Sequence, residues 1–196
     1  MKLRNRLVAL ALSAVPLASF GYTTSTIDSL AWRVTEGTAK DRIFFTTLQS
    51  PVDFYEVIPC GNTVMINGNN AVSQAVGLNR YLKDVARIHI SWNNLTQPLP
   101  EVLPMPDSVM RGSTDLPYRY YLNYCTFSYS MPFWDEDRWM KEIDWMALHG
   151  INMPLDIVGS EAVWSNVLRR LGYSPDEIKE FLPGPAFTAW WLMNNL

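Results

Sequence analysis

At 196 residues the chain has room for one large domain or two small ones, and 48% hydrophobic against 18% charged residues is too apolar a balance for a disordered chain. A formal charge of −3 leaves no basic surplus to hold a phosphate backbone, which argues against a nucleic-acid partner. Two cysteines (Cys60, Cys125) and two histidines (His89, His149), all far apart, make neither a local zinc cluster nor a disulfide framework, although a Cys60–Cys125 bridge stays open; no metal and no cofactor is expected.

Lys2, Arg4 and Arg6 precede the apolar run Leu7 to Leu17, and Ser19-Phe20-Gly21 supplies small residues for cleavage. This is a secretory signal over residues 1–21, and its run of about eleven residues is too short for a lasting membrane anchor. Its removal takes away three cations, so the exported protein moves from −3 to −6. Next, Ile27, Leu30, Ala31 and Val34 recur at helical spacing behind Ser25 and Thr26, with Gly37 as a stop. Ile43–Leu48, Asp53–Ile58 and Thr63–Ile66 are short β-branched and aromatic runs separated by Pro and Gly, which predict strands. A helix is expected over residues 71–85 with Val72, Ala75, Val76, Asn79 and Leu82 on one face, and the alternation in Arg87–Trp92 predicts a further strand. Residues 22–97 thus form a small α/β domain.

Pro98, Pro100, Pro104 and Pro106 fall within nine residues and mark 98–112 as a linker. Beyond it, Tyr118–Ser130 is an aromatic, β-rich run. Asp135–His149 is a helix with Trp139, Ile143, Met146 and Ala147 on one face, acidic residues at its start and Gly150 at its end. Ile151–Val158 is an apolar strand, Glu161–Leu171 a helix, and Ser174-Pro175-Asp176-Glu177 a capping box opening one more. Strand, helix, apolar strand, helix is the pattern of a parallel sheet covered on both faces. The apolar stretch 181–196 then lacks the rest of a sheet to bury it.

YRYYLNYCTFSYS, FWDEDRWMKEIDWMALHGINMPLDIVGSEAVW and GPAFTAWWLMNNL over residues 118–196, with NAVSQAVGLNRYLKDVARIHISW in the first part, resemble the α-N-acetylglucosaminidases, the lysosomal enzyme and its bacterial relatives. The resemblance implies an α/β class: a small amino-terminal α/β domain followed, from residue 113, by the first units of a (β/α)₈ TIM barrel, truncated after about two of them. It implies a retaining exo-glycosidase that releases terminal α-linked N-acetylglucosamine from glycans. Two carboxyl groups about 5–5.5 Å apart do that chemistry, and the family's two glutamates fall beyond Leu196, so no residue of this chain is assigned a catalytic role. The missing carboxy-terminal part of the same protein becomes the expected partner, with a glycan as substrate.

By the same resemblance Asn123, Cys125 and Trp190 line the subsite for the non-reducing sugar. An amide donates to and accepts from hydroxyls, and an indole offers a flat apolar face. Asn123 and Cys125, two apart at the end of a strand, would project to one side. Without the resemblance, Trp190 is a core aromatic, Cys125 a small buried residue and Asn123 either a turn cap or a site residue. Asp135, Glu136 and Asp137 serve the helix start. Asp156 and Glu161, near the end of the second barrel strand, are where a barrel places catalytic groups; only Glu161 is kept, as a residue supporting the site. Asn94-Leu95-Thr96 is a glycosylation triplet. A non-catalytic carbohydrate-binding or interaction module is the alternative function.

Overall fold

The computed structural model describes residues 25–193, so the expected signal lies outside the described residues. Helix α1 (Thr26–Val34) opens with a capping box in which Ser25 Oγ accepts from the Asp28 amide and the Asp28 carboxylate accepts from the Ser25 amide. Its buried stripe is Ile27, Leu30, Ala31 and Val34, as the spacing predicts. Four strands follow: β1 (Ile43–Thr47), β2 (Asp53–Cys60), β3 (Thr63–Gly68) and, much later, β4 (Met110–Thr114), in the order β1-β3-β2-β4. β1 runs parallel to β3; β2 is antiparallel to both β3 and β4. Between β3 and β4 lies α2 (Ala71–Arg80), which continues as a π-helical turn, Tyr81–Val85. Val57, Val64 and Ile66 of the sheet and Ala75, Leu78, Tyr81 and Leu82 of the helix are completely buried together.

Three expectations for this half need correction. α2 faces the sheet with Ala75, Leu78 and Leu82, whereas Val76 and Asn79 turn to the other half of the molecule: Asn79 Nδ2 donates to the Leu148 carbonyl at 3.0 Å. Residues 87–92 form no strand of the sheet: Arg87 is left-handed at φ 59°, Trp92 lies in a turn, and the segment is joined only by a Ser91–Asn94 bridge, because burial of Ile88 and Ile90 produces alternation without a strand partner. The proline-rich 98–112 stretch is no free linker. It buries Leu99 and Leu103 in the first core, is held by Arg42 donating to the Pro100 and Glu101 carbonyls, and runs into β4, so the first sheet closes only at Thr114.

The second half begins with β5 (Tyr120–Tyr121), then two 3₁₀ turns (Cys125–Ser128, Met131–Phe133), α3 (Glu136–Leu148), β6 (Met153–Pro154), α4 (Ser160–Arg170), α5 (Pro175–Phe181) and α6 (Thr188–Leu192). β5 and β6 pair in parallel, Tyr120 opposite Met153 and Tyr121 opposite Pro154, with α3 as the crossover. Both strands are far shorter than the apolar runs 118–130 and 151–158 suggest. Leu122 takes a φ of 77°, which breaks β5, and Pro154 has no N–H to extend the ladder. α3 keeps its expected limits, capped by Asp135 accepting from the Arg138 amide at 2.8 Å and closed by Gly150 at φ 79°. Its expected face is corrected: Ile143 is 52% exposed while Glu142 and Asp144 are buried, because α3 lies between α1, α2 and the second core. Ser174 and Glu177 form the expected box at the start of α5. On α4 no residue is fully buried, and Trp164, Phe181 and Trp191 stack edge to face on an open apolar side with Val163, Val167 and Leu171. Among the described residues no helix is long and apolar enough to cross a membrane.

Candidate functional site

Parallel pairing of β5 and β6 sends both carboxyl ends to one side, so the segments leaving them, 122–128 and 155–161, meet there. With residues 182–188 they enclose a cleft of about 410 Å³ lined by Phe127, Ser128, Ile157, Gly159, Glu161 and Thr188, among others. Two hydrogen bonds tie its walls. Thr188 Oγ1 donates to Glu161 Oε1, and the Ala189 amide donates to Ser128 Oγ at 3.1 Å. Glu161 thus stands in the first turn of α4, behind Gly159 in the left-handed conformation, with its carboxylate directed across the cleft to α6.

Of the four residues expected at the sugar, Glu161 lines this cleft, while the other three sit within a few residues of its lining. Asn123 is exposed and its Oδ1 accepts from the Thr126 amide (3.0 Å) and hydroxyl (2.8 Å), so it caps the turn that follows β5. The chain has already left the strand there and winds into the 3₁₀ turn at Cys125, so the strand alternation that set Asn123 and Cys125 side by side does not apply. Cys125 is half-buried with a free thiol; Cys60 is exposed at the end of β2, and no bridge joins them. Trp190, half-buried on α6, stands edge-on to Tyr129 at 5.5 Å and 79°. Asp156 is exposed and outside the cleft lining. His149 stacks on Trp145 at a centroid distance of 4.3 Å and closes the end of α3, and His89 is exposed.

The structure adds residues that the sequence did not single out. Tyr129 is 70% exposed beside Trp190 and offers a second aromatic surface next to it. Ser128 and Thr188 are buried polar groups in the cleft wall; no periodicity marks them, since their partners lie 61 and 27 residues away. Behind the wall, Glu142 of α3 is fully buried, its Oε1 accepting from Trp92 Nε1 at 3.2 Å and its Oε2 facing Arg138 at 3.1 Å. Burial, and then this carboxylate, push the Tyr121 phenol above its ordinary value. The spacing of Arg138 and Glu142 at i and i+4 was the one local signal of that pair.

Comparison with known proteins agrees with this architecture. The profile described as alpha-N-acetylglucosaminidase (NAGLU) N-terminal domain matches residues 25–105, and that of the alpha-N-acetylglucosaminidase (NAGLU) tim-barrel domain matches residues 119–196. The human alpha-N-acetylglucosaminidase is 47% identical over 133 residues, 68% of this chain and 18% of the human protein. Among solved structures, a family 89 glycoside hydrolase from Clostridium perfringens in complex with 2-acetamido-1,2-dideoxynojirmycin superposes with a TM-score of 0.76 at 39% identity, over 85% of this chain and 19% of that one. A form of the Clostridium perfringens protein with two glutamates changed to glutamine, in complex with its substrate GlcNAc-alpha-1,4-galactose, gives 0.74 at the same identity and coverage. The chain therefore spans under a fifth of the length of these relatives. With a profile on each half, in family order, and a β5–α3–β6–α4 unit where the barrel profile begins, the chain belongs to the α-N-acetylglucosaminidase family.

Proposed function

We propose that this chain is the amino-terminal portion of an exported, retaining exo-glycosidase that hydrolyses terminal α-linked N-acetylglucosamine. In this reading its residues build one wall of the sugar pocket. The observation that carries it is the likeness, at 39% identity over 85% of the chain, to an enzyme solved with GlcNAc-alpha-1,4-galactose as its substrate. Trp190 with Tyr129 supplies apolar faces for a pyranose ring, Asn123 and Cys125 border the turn beneath them, and Glu161 braces α6 through Thr188. The two carboxyl groups that cleave the bond and form the covalent intermediate are assigned to later barrel strands of the complete protein, not to Asp156 or Glu161.

The chain's own chemistry is then binding and orientation. It holds the non-reducing sugar with its anomeric carbon toward groups on the remaining strands, and the apolar lining excludes water from that side. Export rests on Lys2, Arg4, Arg6 and the run to Leu17, and the mature amino terminus is expected near Tyr22. The test is hydrolysis of an aryl α-N-acetylglucosaminide by the full-length protein, followed by proton NMR of the released sugar. Initial release of the α-anomer supports the proposal. Release of the β-anomer refutes retention, and no turnover refutes the activity.

A further inference from the structure

Outside the cleft, Glu142 is the one carboxylate among the described residues with no exposed surface, and a cluster of polar and aromatic groups surrounds it. Its Oε2 is ion-paired to Arg138 Nη2 at 3.1 Å, while two side-chain donors of the cluster, Arg138 Nη1 and Trp139 Nε1, are buried and make no hydrogen bond among the described residues. A core built for stability alone would fill such a place with apolar residues, since a buried ion pair recovers little of its desolvation cost and orphaned buried donors cost more. The cluster also has a direction. Arg138 lies over the Trp134 ring at 3.8 Å and 5.5 Å from that of Trp92; Trp134 meets Trp92 and Trp139 edge-on at 6.0 and 5.0 Å; and Trp139 stacks on Phe127 at 6.1 Å with 22° between planes. Phe127 lines the cleft and belongs to the turn that carries Cys125.

We infer that Trp92, in the segment joining the first half of the chain to its proline-rich stretch, is a positioning residue for the sugar wall, acting through Glu142, Arg138 and the Trp134–Trp139–Phe127 stack on the Cys125–Ser128 turn. Trp92 is not among the residues that line the cleft. Its indole N–H fixes one oxygen of Glu142 and leaves the other facing Arg138, whose guanidinium then holds Trp134 flat. Trp92 itself is 44% exposed, but Trp134, Trp139 and Phe127 beyond it are in ring contact, and such packing passes on displacement, so losing the N–H shifts the turn and not merely the anchor. The amino-terminal domain thereby contributes to substrate binding without contacting substrate. The catalytic part of this inference rests on the proposed glycosidase activity, but the coupling does not.

The experiment compares Trp92→Phe, which removes the N–H and keeps an aromatic ring, and Glu142→Gln with the unmodified full-length protein. Two readouts are taken. The first is the alkylation rate of Cys125 relative to Cys60, by peptide mass spectrometry well below the melting transition; the exposed Cys60 serves as an internal standard. The second is KM and kcat on an aryl α-N-acetylglucosaminide. The Cys125 to Cys60 ratio is expected to change about threefold or more, and KM to rise several-fold with kcat within about twofold, because the interaction lost positions the sugar and does not touch the reacting atoms. An unchanged cysteine ratio in both variants overturns the inference, as does equal loss in kcat and kcat/KM with KM fixed. If the unmodified protein fails to turn over, the glycosidase reading falls and the cysteine ratio alone decides the coupling.

Discussion

Replacing Asp53 with asparagine tests how the two halves are fastened. Asp53 opens β2, and its carboxylate accepts from Asn69 Nδ2 at 2.9 Å, Asn70 Nδ2 at 2.8 Å and Arg119 Nη2 at 2.5 Å. Arg119, the residue before β5, also donates to the carbonyls of Gly150 at the end of α3 and Leu116. One carboxylate therefore joins the cap of α2, the first sheet and the first barrel strand. An amide of the same shape can accept from at most two of the three donors and turns its own NH₂ toward another. Hydrogen bonds to a charged acceptor contribute about 1.5–3 kcal/mol each. With the pair partly solvated, Asp53→Asn should cost about 3 kcal/mol of local stability, or about a 100-fold loss of amide protection. Hydrogen exchange of the full-length protein, read at the peptides holding Ser73 and Gln74 and those holding Met153 and Leu155, measures it. The sign with pH follows from the carboxyl. Burial raises it, but the bonds from Asn69, Arg119 and Asn70, with the Arg119 charge, hold it below its ordinary value. Its contribution is therefore complete above the unfolded value and lost as pH falls through the folded one, so the two proteins should converge in acid. Equal protection at neutral pH, or a difference that persists unchanged into strong acid, refutes the hub.

Gly112→Ala should cost about 1–3 kcal/mol, because a Cβ there would lie 2.5 Å from Tyr55 Cε1 while Tyr55 is backed by Gly77 on its other side; thermal melting checks it, and in a Tyr55→Ala background the same change should cost less. In the full-length protein Trp190→Ala should raise KM and slow turnover, whereas Asp156→Asn should keep substantial activity; a fall of about 10⁴-fold in a folded Asp156→Asn protein would make that aspartate catalytic. Residues 22–196 expressed alone should bind a hydrophobic dye and associate, since Val163, Val167, Leu171, Phe181 and Phe187 are all exposed; a monodisperse, dye-negative monomer by light scattering contradicts this.

The parts of this fold legible in the sequence are those decided within one turn of chain. The Ser25 and Ser174 boxes, the limits of α3 and the left-handed Gly150 follow from neighbours three or four residues apart. What failed were inferences that needed a distant partner. Alternation in 87–92 reports burial of Ile88 and Ile90, which a loop packed under a sheet achieves as well as a strand. Proline density in 98–112 excludes helix but says nothing of whether Leu99 and Leu103 are covered. The candidate site residues were named through family motifs and not through local chemistry. Asn123 and Trp190 carry no local mark, and the Thr188–Glu161 contact that braces the cleft depends on a loop closing over 27 residues.

Helix α3 has consequences for the order in which the molecule is made. Asp144 is held by two 2.6 Å bonds from Arg33, 111 residues earlier, and Leu148 by Asn79. Synthesis delivers the amino-terminal sheet first, so by the time residue 148 leaves the ribosome its docking surface is already in place. The β5–α3–β6 crossover thus forms against a finished template and takes its direction from elements outside it. A fragment beginning at β5 would have to set that direction with Arg33, Asn79 and Trp92 all missing.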